Sequence, residues 1–196
     1  MKKIVNDVNN VEEEMIQGLV KSAPKKLRKL DYGTIVVRAD KKEDKVALVS
    51  GGGSGHEPAH AGYVGTGMLD CAVAGTVFTS PTPDQVLEGI KAVATDKGVL
   101  CVVKNYTGDV MNFEMAIEMA ADEDIKADYV VVNDDVAVRD SLYTTGRRGV
   151  AGTIFVHKIA GAKAKQGARR KGHRQRPLHG HGHRTVHCSG CGKTGL

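Results

Sequence analysis

Four short apolar runs constrain this chain more than any other feature: Lys45-Val-Ala-Leu-Val-Ser50, Leu69-Asp-Cys-Ala-Val-Ala74, Gly98-Val-Leu-Cys-Val-Val103 and Tyr129-Val-Val-Val-Asn133. Runs this continuous read as strands buried on both faces, because a strand with one wet face would alternate apolar and polar residues. Helical stretches separate them. Thr79-Ser-Pro-Thr-Pro-Asp84 opens a helix through about Thr95, a second runs from about 110 to 122, and residues 150–167 form a third with Ile154, Val156, Ile159 and Ala160 facing in. Strand and helix in alternation predict an α/β fold, a mainly parallel sheet with helices on both faces, in which ligands sit at the carboxyl ends of the strands.

Upstream, residues 6–22 place Val8, Val11, Met15, Ile16 and Leu19 at helical spacing, with Asn6 or Asp7 suited to the cap. Residues 23–33 are basic and punctuated by Pro24 and Gly33, and read as a loop. The β-branched Thr34–Arg38 reads as a strand, and Asp40–Asp44 as a charged turn.

At 196 residues and 41% apolar, the chain suits one domain, with or without an appendage. No apolar run approaches the roughly 20 residues that span a bilayer, and Met1-Lys-Lys-Ile lacks a signal-peptide core, so the expected location is cytoplasmic, with no membrane partner. Cys71 and Cys101, inside apolar runs, are expected as buried reduced thiols. The net charge of +5 is unevenly distributed. Residues 168–196 hold five Arg and two Lys without one Asp or Glu, which leaves 21 basic against 23 acidic residues in the body and no electrostatic case for nucleic acid.

The first strand runs into Gly51-Gly-Gly-Ser-Gly-His-Glu-Pro58, a glycine-rich turn that lets backbone N–H groups approach a bound group and supplies positive φ where the chain bends. Spacing excludes two familiar readings. The dinucleotide pattern G-x-G-x-x-G needs glycine at His56 or at Pro58, and a nucleophile elbow centred on Ser54 needs glycine at His56. His56 is the side chain in the turn that can exchange a proton near neutral pH. Lys104-Asn-Tyr-Thr-Gly-Asp109 and Asn133-Asp-Asp135 fall at the same strand ends. Together the three turns would make a pocket with a proton-transfer group, a cation and carboxylates. Taken singly, Asp109 also reads as a helix cap and Lys104 as a solvated cation, while Asp134 and Asp135 read better as caps or turn holders.

Five blocks in order carry a family resemblance: Gly51–Pro58, Phe78-Thr-Ser-Pro-Thr-Pro-Asp84, Lys104–Asp109, Asp134-Asp-Val-Ala-Val138 and Gly146-Arg-Arg-Gly149. From Met1 to about Gly167 the chain closely resembles the substrate-binding subunit of dihydroxyacetone kinase. The resemblance implies phosphorylation of dihydroxyacetone, with Gly53, Ser54, Gly55, His56, Lys104 and Asp109 as its site and His56 and Asp109 in the acid/base role at a substrate hydroxyl. It implies no cofactor and no metal in this chain. ADP or ATP with Mg would sit on a partner subunit served by a phosphotransferase-system protein, or on a following ATP-binding domain. It also implies a homodimer. A non-catalytic small-ligand regulator of the same fold is the alternative.

The chain departs from the family in length. The family's subunit is longer, and a second histidine in its later part holds the ketone covalently; no position here matches it. From Ala168 the composition changes, with five of the eight histidines in 168–196. His179, His181, His183, His187, Cys188 and Cys191 have the type and spacing of zinc ligands, and Gly192-Lys193-Thr194 resembles the end of a nucleotide loop that lacks its first glycine and its helix. A shifted reading frame accounts for more. Codons exist for Arg169–Gly195 that, read one base later, encode a segment ending Ala-Pro-Cys-Thr-Val-Ala-Ala-Ala-Gly-Lys-Pro-Gly, close to the family's Pro-Cys-Thr-Val-Pro-Ala-Ala-Gly-Lys-Pro. The expectation is an incomplete substrate domain over 1–167, catalytically deficient alone, followed by a non-native basic tail that does not fold.

Overall fold

The computed structural model describes residues 4–40, 43–138 and 146–167. The tail expectations at 168–196, zinc ligands and shifted frame alike, lie outside the described residues.

The core is four parallel strands. In space the order is β1 (Leu27–Lys29), β2 (Ile35–Arg38), β4 (Cys71–Val77), β3 (Ala47–Ser54), β5 (Val99–Lys104) and β6 (Ala127–Val132). β3 pairs in parallel with β4 and β5, and β5 with β6, while β2 runs antiparallel to both β1 and β4. The sheet is therefore mixed, with its antiparallel part confined to one edge. β1 corrects the loop reading of 23–33. Three residues, two of them basic and Leu27 alone buried, carry too little periodicity to announce a strand, and such charges protect a sheet edge.

Alternate strand residues feed two cores. Ile35, Val37, Ala47, Val49, Val99, Cys101 and Val103 pack with α2 (Pro83–Val93) and α3 (Thr107–Asp122) on one face. Val36, Leu48 and Ala72 pack with Ile16 of α1 (Val11–Ser22) and Ala164 of α4 (Thr153–Lys165) on the other. Both faces are covered, which is why the strands read as unbroken apolar runs. Cys71 and Cys101 are fully buried free thiols, and burial holds both well above the ordinary thiol range.

Helix starts follow local chemistry. Thr82 caps α2 by accepting from Gln85 N, and Gln85 Oε1 accepts from Thr82 N in return. Asp7 caps a short turn (Val8–Asn10) before α1, its carboxylate accepting from Asn9 N. The buried face of α4 is Thr153, His157, Gly161 and Ala164; of the expected set Ala160 packs beside it, Ile154 and Val156 are half-buried, and Ile159 is 61% exposed. Gly161 explains the rotation. A Cβ there would come 2.4 Å from the Gly67 carbonyl oxygen, so the helix lies closest at its small residue, with Phe155 and Ile159 turned outward.

The glycine block also differs from its sequence reading. β3 continues through Gly51, Gly52 and Gly53 to Ser54, and the bend starts at Gly55, where φ is +110°. Within the strand the glycines serve close approach, not positive φ: a Cβ at Gly51 would lie 2.4 Å from Val73 O, and one at Gly53 would lie 2.6 Å from Thr79 N.

At the opposite end of the strands, the buried Asp70 accepts from Leu48 N at 2.8 Å and Arg38 Nη1 at 3.1 Å, and pairs with Lys45. Arg38 also bridges Asp40 and Glu43, which holds the antiparallel edge against the parallel core.

Candidate functional site

At the carboxyl ends of β3, β4 and β5, charged groups converge under glycine. Lys104 ends β5 and Asp109 lies in the first turn of α3; both are buried, at 8% and 4% exposure. Gly52 makes room for the two together, since a Cβ there would stand 3.4 Å from Lys104 Nζ and 3.5 Å from Asp109 Oδ2. Ser80 Oγ donates to Asp109 Oδ1 at 2.5 Å. Asn112 donates to Pro81 O at 2.7 Å, so the 78–84 block is fastened to α3. Burial pushes the Asp109 carboxyl above the ordinary aspartate range, against the opposing pull of the Ser80 hydroxyl, Lys104 and His56. Burial likewise pushes the Lys104 ammonium down, with Asp109 opposing. Lys104 stands 5.3 Å from the Tyr106 ring centroid, and Arg148 approaches the same ring at 5.7 Å.

His56 lies on the exposed bend, near enough for its charge to act on Asp109, with its ring 5.4 Å from Phe78 at an interplanar angle of 65°. Gly53 is partly accessible beside it. Two residues of the expected set are otherwise occupied. Ser54 is buried and its hydroxyl donates to Gly75 O at 2.7 Å, while Gly55 N donates to the Glu57 carboxylate at 3.0 and 3.1 Å. The structure thus brings His56, Lys104 and Asp109 to one edge beside Gly52 and Gly53, and turns the Ser54 side chain away.

The third turn does other work. Asp134 accepts from Val150 N and Gly152 N, each at 2.7 Å, and so holds the start of α4. Asp135 accepts from Ala137 N and donates its own N–H to Arg148 O. Gly149 presses on the strand end, where a Cβ would lie 2.9 Å from Lys104 Cα.

Three features escaped the sequence reading. Ser80 and Phe78 stand in the Phe78–Asp84 motif, but nothing in their spacing assigns them contacts. His60 and His157, 97 residues apart, meet through Nδ1 and Nε2 at 3.1 Å, with Ser50 Oγ 3.3 Å from His60 Nδ1. Burial pushes both imidazoles down, His157 to about 4, with Lys104 adding to the shift, and leaves a neutral pair against the Lys104 side of the sheet. A cavity of about 340 Å³ lies beneath Gly52–Ser54, between Met15, Ile16 and Leu19 of α1 and Pro58, Ala59 and His60; its walls are mostly apolar and exclude Lys104 and Asp109.

Residues 17–172 match the Dak1 domain. The chain belongs to the Dak1 family. It is 62% identical, over 168 residues, to the PTS-dependent dihydroxyacetone kinase 1, dihydroxyacetone-binding subunit DhaK, of Listeria innocua, an alignment covering 86% of this chain and 51% of that one. The Dak1 chain spans 47–51% of the length of the DhaK subunits of Listeria innocua, Lactococcus lactis and Escherichia coli, and 24–30% of longer relatives. Its fold superimposes on the dihydroxyacetone kinase of C. freundii, native and in complex with AMP-PNP and Mg2+, with TM-score 0.81 and 43% identity over 86% of this chain and 31–32% of that one. The dihydroxyacetone kinase operon co-activator DhaQ is also similar, with TM-score 0.75 and 43% identity over 80% of this chain and 48% of that one. Among the described residues no helix is long and apolar enough to cross a membrane, and no three His, Cys, Asp or Glu side chains are grouped as metal ligands.

Proposed function

We propose that this Dak1 domain binds dihydroxyacetone and presents one of its hydroxyls to a phosphoryl donor held elsewhere. The observation that supports the reading is the convergence of Lys104 and Asp109 under Gly52, with His56 on the same edge. An ammonium and a carboxyl, both largely desolvated, suit a small polar ketone: Lys104 donates to an oxygen, and Asp109 takes a hydrogen bond from a hydroxyl. Gly52 and Gly53 let the ligand lie against the strand backbone. In the transfer step the hydroxyl oxygen forms its bond to phosphorus as the bond from phosphorus to the donor's oxygen breaks. The proton passes to His56, and the Asp109 carboxylate stabilises the resulting imidazolium. Ser54 and Gly55 contribute loop shape rather than side-chain contacts. The nucleotide, ADP or ATP with Mg, belongs to a partner subunit or a following domain, as the relatives' PTS dependence and the AMP-PNP complex suggest. We infer a cytoplasmic homodimer. The relatives extend beyond the part that this chain spans, and titration of this chain by itself tests whether that further part is needed for tight binding.

Calorimetric titration with dihydroxyacetone tests the site. Weak, reversible binding is expected, reduced about 10- to 100-fold in Lys104→Met and Asp109→Asn, the loss of one charged hydrogen bond each. Unchanged affinity in both variants would refute the assignment. The likeness to DhaQ favours one other reading, a non-catalytic regulator. That reading holds if the chain, completed with the relatives' second half and given a phosphoryl donor, binds the ketone but transfers nothing.

A further inference from the structure

Phe78 is placed where an aromatic residue has little reason to be. It follows the last residue of β4, has φ of +53°, and is 72% exposed, so it occupies the left-handed region without burying its ring in either core. A turn needing only that backbone would be served by glycine. Yet its surroundings are shaped to receive it. Phe78 N donates to Ser54 O at 2.8 Å, which ties the end of β4 to the end of β3. A Cβ at Gly55 would fall 2.9 Å from Phe78 Cε1, and one at Gly53 would fall 2.8 Å from the Phe78 carbonyl carbon. Two of the glycines beside the site thus leave space for this one residue.

The ring's neighbour is His56, edge against face at 5.4 Å. Among the described residues no hydrogen bond holds the His56 ring, so this contact is what orients an otherwise exposed imidazole. We propose that Phe78 is the positioning residue for His56: by packing on Gly55 and against the imidazole, it restricts the rotamers through which His56 reaches the ligand hydroxyl. The inference rests on the reading of His56 as the proton acceptor. A base on a solvent-exposed bend otherwise divides its time among rotamers, most of which point away from the proton to be moved.

Phe78→Gly and Phe78→Tyr test this. Glycine accepts φ of +53° without strain and removes the ring; tyrosine keeps the ring. In 1H–13C spectra of the histidine-labelled chain, the His56 ring resonances of Phe78→Gly should move to the positions of a free imidazole, with a thermal midpoint no lower than the parent's. Those of Phe78→Tyr should stay in place. Should the glycine variant fail to fold, Phe78→Leu, which keeps bulk without a π-face, gives the same readout. In the kinase completed with the relatives' second half and its phosphoryl donor, loss of the ring should lower kcat roughly tenfold with little change in KM, as expected for misplacement of a base, and tyrosine should restore it. His56 resonances unchanged in the ring-less variants would overturn the inference. Resonances that move while kcat holds would leave the positioning intact and refute His56 as the proton acceptor.

Discussion

Adjacent glycines of β3 should respond oppositely to the same methyl group. In Gly51→Ala the new Cβ would stand 2.4 Å from Val73 O, a backbone atom of the neighbouring strand, and 3.2 Å from Phe113 Cζ. That is roughly 0.6 Å inside the closest approach Cβ atoms make, and a paired strand has no flexible end to swing away. Either the β3–β4 ladder spreads or the residue leaves the pleat. Overpacking of this kind costs typically about 1–3 kcal/mol, offset by about 0.5–1 kcal/mol from the lower chain entropy of alanine. In Gly52→Ala the Cβ meets Lys104 Nζ at 3.4 Å and Asp109 Oδ2 at 3.5 Å, ordinary contacts, so the fold should keep its stability or gain a few tenths of a kcal/mol. The methyl instead occupies the space between the ammonium and the carboxyl, and dihydroxyacetone affinity should fall about tenfold or more, as when polar groups lose their partner. Urea unfolding reads the first effect and calorimetric titration the second. Gly51→Ala as stable as the parent, or Gly52→Ala the less stable of the two, would refute the assignment of these glycines to close approach within a strand.

Three further outcomes are expected. Asp70→Asn leaves Arg38 and Lys45 facing a neutral amide in a buried network, and should cost about 3–5 kcal/mol in urea unfolding; a loss under about 1 kcal/mol would show the network to be solvated. His157, held near pKa 4 in the folded chain against 6.5 unfolded, binds its proton more readily in the unfolded state. Stability should therefore fall as pH drops from about 6.5 to 4, with His157 contributing about 3 kcal/mol; His60, also held down by burial, adds to the loss, so His157→Phe should lessen it in pH-dependent unfolding. Sequencing the gene should show one missing or extra base near the Arg169 codon, and correcting it should yield the Pro-Cys-Thr-Val segment; an uninterrupted native frame would sink the shifted-frame proposal.

What the sequence determined by itself is local or blockwise. Val-rich runs interrupted by capped helices dictate strands and helices in their order, because burial on two faces demands continuous apolar strands, and the motif blocks point to the family. Lys104, Asp109 and His56 were legible as candidates for the same reason: each sits at a strand or helix end where a polar side chain needs a use. Tertiary structure decided which of these meet. With β3 between β4 and β5, Gly52 falls beside both Lys104 and Asp109, Ser80 reaches the carboxyl, and Phe78 reaches His56. The neighbours of Asp70, the His60–His157 pair and the turn of α4 onto Gly161 depend likewise on strand order and on helix approach distance. Periodicity records which way a side chain faces; it does not record what stands opposite, which is fixed only when segments far apart in the chain pack together.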